Sequence, residues 1–135
     1  MNQEQLIYNF NNCFSWEEKY LYLIELGQQL PLFPNKYKIS KYLIPDCQSQ
    51  VWIVLTNHNN KVNLQGYSDA LIVKGLIAVV FILYKDLNLT ELINFNIYSL
   101  LNNLNLNKYL TISRNHGLQS IIKNIKDQAK QHLIT

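Results

Sequence analysis

Val51-Trp52-Ile53-Val54-Leu55-Thr56, then Asn57-His58-Asn59-Asn60, then Lys61-Val62-Asn63-Leu64-Gln65-Gly66: the fold is read from these sixteen positions. The first six are rich in β-branched and aromatic residues and largely apolar, and the last six alternate so that Val62 and Leu64 share a face. Between them lie residues with strong turn chemistry, three of them asparagines, which tolerate the left-handed backbone and bond their own main chain. The stretch predicts an antiparallel β-hairpin.

Working outward, the flanks read as helices. Ser68 is a candidate N-cap for a helix from Asp69 to Tyr84, whose stripe of Ile72, Gly75, Leu76, Val79, Val80 and Leu83 would pack on the hairpin. Thr90 can cap a short helix from Glu91, and a second short one covers Ile97 to Leu104. Ser113 caps a long last helix with Leu118, Ile121, Ile122, Ile125, Ala129 and Leu133 on its apolar face. On the N-terminal side, Glu4 to Asn11 has Leu6, Ile7 and Phe10 at helical spacing. Ser15 and Glu18 then fit a capping box, opening a helix that carries Tyr20, Leu23, Ile24 and Gly27 and ends at Leu30-Pro31. Pro31, Pro34 and Pro45 punctuate an irregular stretch that leads to Cys47. Helices, a hairpin and more helices argue for an α+β fold in one domain, residues 1–135, with a small antiparallel β-sheet packed against several helices.

The bulk properties agree. A chain of 135 residues with 48% hydrophobic content buries a core without disulfides or metals, and mean hydropathy is near zero. The net charge of +3 comes from scattered lysines, with no basic cluster or aromatic–basic interleaving to suggest nucleic acid. The longest apolar run, Gly75 to Tyr84, is too short to span a bilayer. The first residues, Met1-Asn2-Gln3-Glu4-Gln5, lack the basic and apolar regions of a signal peptide, so no membrane and a cytoplasmic location are expected. Two cysteines, Cys13 and Cys47, are too few for a secreted disulfide scaffold.

Cys47 is the residue on which function should turn. It sits in Ile44-Pro45-Asp46-Cys47-Gln48-Ser49-Gln50-Val51-Trp52, between a structure-breaking proline and an apolar run. A thiol on an exposed loop can do chemistry, whereas a thiol in a core usually only packs. Nucleophilic hydrolysis would want a histidine base, and of His58, His116 and His132 only His116, at the start of the last helix, could approach. No Cys-x-x-Cys pair supplies a zinc or dithiol site. What remains is single-thiol chemistry, in which one thiolate attacks another sulfur and holds the product.

Several stretches in register carry a resemblance. Gln48-Ser49-Gln50-Val51-Trp52 follows the cysteine, and Ser68-Asp69-Ala70 precedes Ile72-Val73-Lys74-Gly75-Leu76. Ser113-Arg114 stands before Gly117-Leu118. Near the start come Trp16-Glu17-Glu18-Lys19-Tyr20 and Leu26-Gly27-Gln28-Gln29-Leu30-Pro31. The chain resembles the SufE family from about Phe10 to Ala129. That resemblance implies a SufE/IscU-like fold and a non-enzymatic sulfur acceptor that stimulates a cysteine desulfurase of the SufS type. Sulfur would arrive as a persulfide on Cys47 and pass to iron–sulfur cluster assembly by a SufBCD-type complex. The pyridoxal phosphate (PLP) belongs to the partner, so this chain needs no cofactor and no metal of its own. Gln48, Ser49, Asp69 and Arg114 are the supporting or partner-contact candidates, and a homodimer is a further option. Alternatives are a paralogous acceptor of the CsdE kind serving another desulfurase, or an IscU-type cluster scaffold, which would need several cysteine ligands. A thiol peroxidase would want a resolving cysteine. Family members often carry glycine where this chain has Asp46, and a carboxylate beside the thiol should disfavour the thiolate.

Plainer roles are expected elsewhere. Cys13, between two helices, reads as structural. Ser68 and Asp69 can be simply an N-cap and a first-turn acid. Arg114, the only arginine, is a cation near a helix N-terminus and needs a compensating partner. Asp69 or the Cys47 loop could provide it, in which case Arg114 would lower the thiol pKa. Trp16 and Trp52 read as anchors, and His58 and His132 as exposed.

Overall fold

Asn59 and Asn60 adopt φ of 52° and 62° in the computed structural model, which describes residues 1–135. Positive φ at both central residues is what a two-residue type I′ hairpin turn demands. The turn joins β1 (Val51–His58) to β2 (Lys61–Ser68), paired antiparallel from Val51↔Ser68 to His58↔Lys61. Each strand is two residues longer than the sequence predicts: the tight turn leaves Asn57 and His58 in the ladder of β1, and pairing with Trp52 and Val51 carries β2 on through Tyr67 and Ser68.

Two strands alone are marginal in water, and six helices supply the cover: α1 (Gln3–Asn11), α2 (Trp16–Gln28), α3 (Leu71–Leu83), α4 (Leu89–Asn94), α5 (Ile97–Leu104) and α6 (Ile112–Ile134). The architecture is α+β. α3 is the central element, with Gly75 to Val80 and Leu83 all buried. One side of it crosses α2 where Gly27 faces Gly75; a Cβ on Gly27 would stand 2.7 Å from the Gly75 amide nitrogen. The other side lies over the hairpin at Gly66, where a Cβ would meet Ile77 and Phe81 at 2.9 Å. α3 thus packs on α2 as well as on the hairpin. No helix is long and apolar enough to cross a membrane.

Helix starts depart from the sequence reading at four places. Ser68 does not cap α3. Pairing with Val51 keeps it in β2, its buried hydroxyl accepts from the Ala70 amide at 3.2 Å, and Asp69 lies outside the helix, which begins at Leu71. Asn88, not Thr90, caps α4 through a reciprocal box: Asn88 Oδ1 accepts from Glu91 N at 2.9 Å and Glu91 Oε1 from Asn88 N at 3.0 Å. Thr111, not Ser113, caps α6, its hydroxyl accepting from Arg114 N at 3.1 Å. Ser15 does cap α2, but Glu18 reaches one residue further back, accepting from Phe14 N at 3.0 Å rather than from the cap itself. At the far end α6 overruns the core, and Leu133 is exposed.

Candidate functional site

The chain between the prolines and β1 folds as two single 3₁₀ turns, Asn35–Tyr37 and Ser40–Tyr42, followed by a short loop. That loop is closed at its base by Ile44 N donating to Val51 O at 2.8 Å and by an antiparallel bridge between Leu43 and Trp52. Pro45 starts the turn, Asp46 takes φ of 63°, and Cys47 follows. An aspartate in the left-handed region does what a glycine would do more cheaply.

Cys47 is half-buried rather than exposed. The sequence suggests an open loop, but apolar side chains from four distant elements converge under it. Ile24 of α2, Val51 of β1, Ile72 and Leu76 of α3, and Leu118 and Ile121 of α6 line a cavity of about 580 Å³ into which the thiol opens. Gly117 of α6 faces the thiol, and a Cβ there would sit 3.9 Å from Cys47 Sγ. Burial pushes the thiol pKa up, and the Asp46 carboxylate pushes it up further. Both effects favour the protonated thiol over the thiolate.

The structure gathers some of the other candidates and leaves some apart. Gln48, Ser49 and Arg114 line the same cavity as Cys47, together with Ser113 and Thr111. Asp69 is exposed and outside the lining, although its neighbours Ala70 and Leu71 belong to it. Arg114 does not pair with Asp69, since the chain's ion pair is Lys123–Asp127 on α6. Its guanidinium stands 5.9 Å from the Tyr20 ring centre, and the Tyr20 hydroxyl donates to Tyr109 O. Nor does Arg114 counter the upward shift of the thiol, whose causes are burial and Asp46. The compensating partner of this cation is thus an aromatic face.

His116 is exposed and does not line the cavity, and His132 Nε2 lies 2.9 Å from Leu55 O on the far side of β1. No general base accompanies the sulfur. No three His, Cys, Asp or Glu side chains come together as a metal-ion site. Cys13 is a free, half-buried thiol that donates to Asn9 O at 3.4 Å, away from the cavity. The site offers one reachable sulfur in an apolar recess. Sequence reasoning missed the recess walls and the Thr111 cap; a glycine on α6 beside Leu118 was the one visible hint of a gap.

Comparison with known proteins gives three findings. The family model for SufE, the Fe-S metabolism associated domain, matches residues 4–129. A cysteine desulfuration protein SufE from Wigglesworthia glossinidia brevipalpis is 50% identical over 129 residues, covering 95% of this chain and 90% of the relative. The solution structure of a hypothetical protein from Thermus thermophilus superposes with a TM-score of 0.79 over 98% of this chain and 96% of that one, at 16% identity. At that identity the superposition speaks for the fold alone.

Proposed function

The chain belongs to the SufE family, and from that premise we propose that it is a sulfur acceptor whose Cys47 takes persulfide sulfur from a cysteine desulfurase. The donor would be a PLP-dependent enzyme of the SufS type, which this chain stimulates by removing its product. The acceptor then relays the sulfur to an iron–sulfur assembly complex of the SufBCD type. It is a carrier rather than an enzyme, with PLP held by the partner and no cofactor of its own.

The observation that carries this reading is a lone half-buried thiol with no base and no metal partner, on the loop that the family motifs flank. In the transfer step the Cys47 thiolate attacks the terminal sulfur of the donor's cysteine persulfide. A new S–S bond forms on Cys47, the donor's S–S bond breaks, and the donor cysteine leaves as a thiolate. The proton lost from Cys47 passes to solvent, the donor thiolate is free to regain one, and no net oxidation occurs. The apolar recess suits the product, since a sulfane sulfur surrounded by Ile24, Leu76 and Leu118 is shielded from competing thiols. Gln48, Ser49 and Arg114, which line the same cavity, would orient it, and exposed Asp69 would contact the partner.

Intact mass tests the reading. After incubation with a SufS-type desulfurase, PLP and cysteine, without reductant, the protein gains about one sulfur mass by this exchange. The gain is lost in Cys47→Ser and kept in Cys13→Ser. An adduct on Cys13, or none, defeats the proposal.

A further inference from the structure

Lysines that look scattered along the chain are gathered by folding onto one aromatic face. Lys36 Nζ lies 5.1 Å from the centre of the Tyr37 ring, and Lys41 Nζ 5.3 Å from that of Tyr42. Tyr67 carries two ammoniums, Lys38 at 4.1 Å and Lys74 at 5.3 Å. The rings are joined to one another. Tyr37 packs edge-on to Tyr42 at 5.4 Å, while Phe33 lies 6.1 Å from Tyr37 and 6.4 Å from Tyr67.

These four cations have no carboxylate partner, because the chain's ion pair is Lys123–Asp127. Nor do they donate hydrogen bonds, which among the lysines only Lys19 and Lys123 do. From Pro31 to Pro45 there are three lysines and no acidic residue, and all three lysines are exposed. A ring face under an exposed ammonium is worth about 0.5–1 kcal/mol. It orders the cation while leaving its N–H groups turned to solvent.

We propose that this lysine–tyrosine face docks a carboxylate-rich surface of the protein that delivers sulfur to Cys47, an inference that rests on the carrier reading above. The face is continuous with the thiol loop. Trp52 stands 6.3 Å from Tyr67 and bridges to Leu43, and the Cys47 loop springs from that bridge. A body seated on the tyrosines therefore abuts the base of the Cys47 loop. Nucleic acid fits less well, because the rings that would stack bases already carry the chain's own ammoniums. A polyanion tracking towards the loop would also meet Asp46.

Exposed charges of this kind act mainly on association rate and its salt dependence. The test is binding of the full-length chain to a purified SufS-type desulfurase holoenzyme at low and at physiological salt. The variant is Lys36→Glu/Lys38→Glu/Lys41→Glu, and the control places equal charge elsewhere with Lys61→Glu/Lys85→Glu/Lys130→Glu. The face variant should bind about tenfold more weakly at low salt and lose most of the salt dependence of the wild type, with the control near wild type. Loading of Cys47 by a small persulfide donor should stay unchanged in both. Equal weakening by face and control variants, or none by either, overturns the docking face while Cys47 loading upholds the carrier. Failure of the wild type to accept sulfur from either donor overturns both. Wild-type binding that a short single-stranded oligonucleotide abolishes at physiological salt, with direct oligonucleotide binding, overturns the proposal in favour of nucleic acid.

Discussion

Asp46 acts on Cys47 twice, once through the backbone and once through its charge. Its φ of 63° puts the turn immediately before the thiol in the left-handed region, and its carboxylate adds to the burial that raises the thiol pKa. The sign of the pH effect follows. The thiolate is the nucleophile, and both burial and a neighbouring negative charge disfavour it, so alkylation of Cys47 should reach half its maximal rate above the ordinary thiol range. Asp46→Asn keeps a side chain that tolerates the left-handed region and removes the charge, and Asp46→Gly removes the charge and the Cβ together. Both should move the midpoint of iodoacetamide reactivity downward, measured in a Cys13→Ser background. Neither should restore an ordinary thiol, because burial is the larger cause. An unmoved midpoint would mean that the carboxylate is screened by solvent and that burial alone sets the reactivity.

Two glycines within helices show how differently an element can use the same residue. At Gly75 of α3 a Cβ would approach the Leu23 carbonyl carbon of α2 to 2.6 Å, backbone against backbone, so neither side can yield without moving a helix. Gly75→Ala should therefore cost about 1–3 kcal/mol or more. At Gly117 of α6 the added Cβ meets only Cys47 Sγ, at an ordinary 3.9 Å. Gly117→Ala should instead stabilise by up to about 1 kcal/mol, the usual cost of a helix-interior glycine. Urea unfolding of the two variants checks the opposite signs, and a destabilised Gly117→Ala would show that the first turns of α6 need the gap. The hairpin and the extent of α5 were legible in the sequence because a β-branched run, an asparagine-rich turn and a short helical stretch are local properties. Ser15 caps α2 as read, but the later caps were legible only as neighbourhoods. Ser68 and Ala70, Asn88 and Thr90, Thr111 and Ser113 stand two apart, and tertiary pairing, such as Ser68 with Val51, chooses between them. Cys47 was legible as a loop cysteine and the candidate for the chemistry, but its half-burial was not, since Ile24, Val51, Leu76 and Leu118 meet only in the folded chain.

The molecule as a whole depends on how α6 closes the open edge of a two-stranded sheet. An unpaired strand edge needs partners for its amides and carbonyls, and β1 finds them on a helix. Gln128 Oε1 accepts from Leu55 N at 2.9 Å while its Nε2 donates to Ile53 O at 2.9 Å, with Asn124 Oδ1 also at 2.7 Å from that nitrogen. One side chain thus imitates a neighbouring strand. The same helix, two to three turns earlier, supplies Leu118 and Ile121 to the Cys47 cavity, so the tie at one end fixes the wall at the other. Gln128→Leu keeps the bulk but leaves the Leu55 amide and the Ile53 carbonyl without partners, at about 1–3 kcal/mol for each buried group. Gln128→Glu keeps only the acceptor half. Urea unfolding should rank the wild type above both variants, and amide exchange at Leu55 should accelerate in the leucine variant while the glutamate variant retains more protection. If α6 moves as one body, Cys47 should also alkylate faster in the leucine variant under native conditions. Unchanged Leu55 protection would place the closure of β1 elsewhere, and lost protection with unchanged Cys47 reactivity would show that the two ends of α6 are held independently.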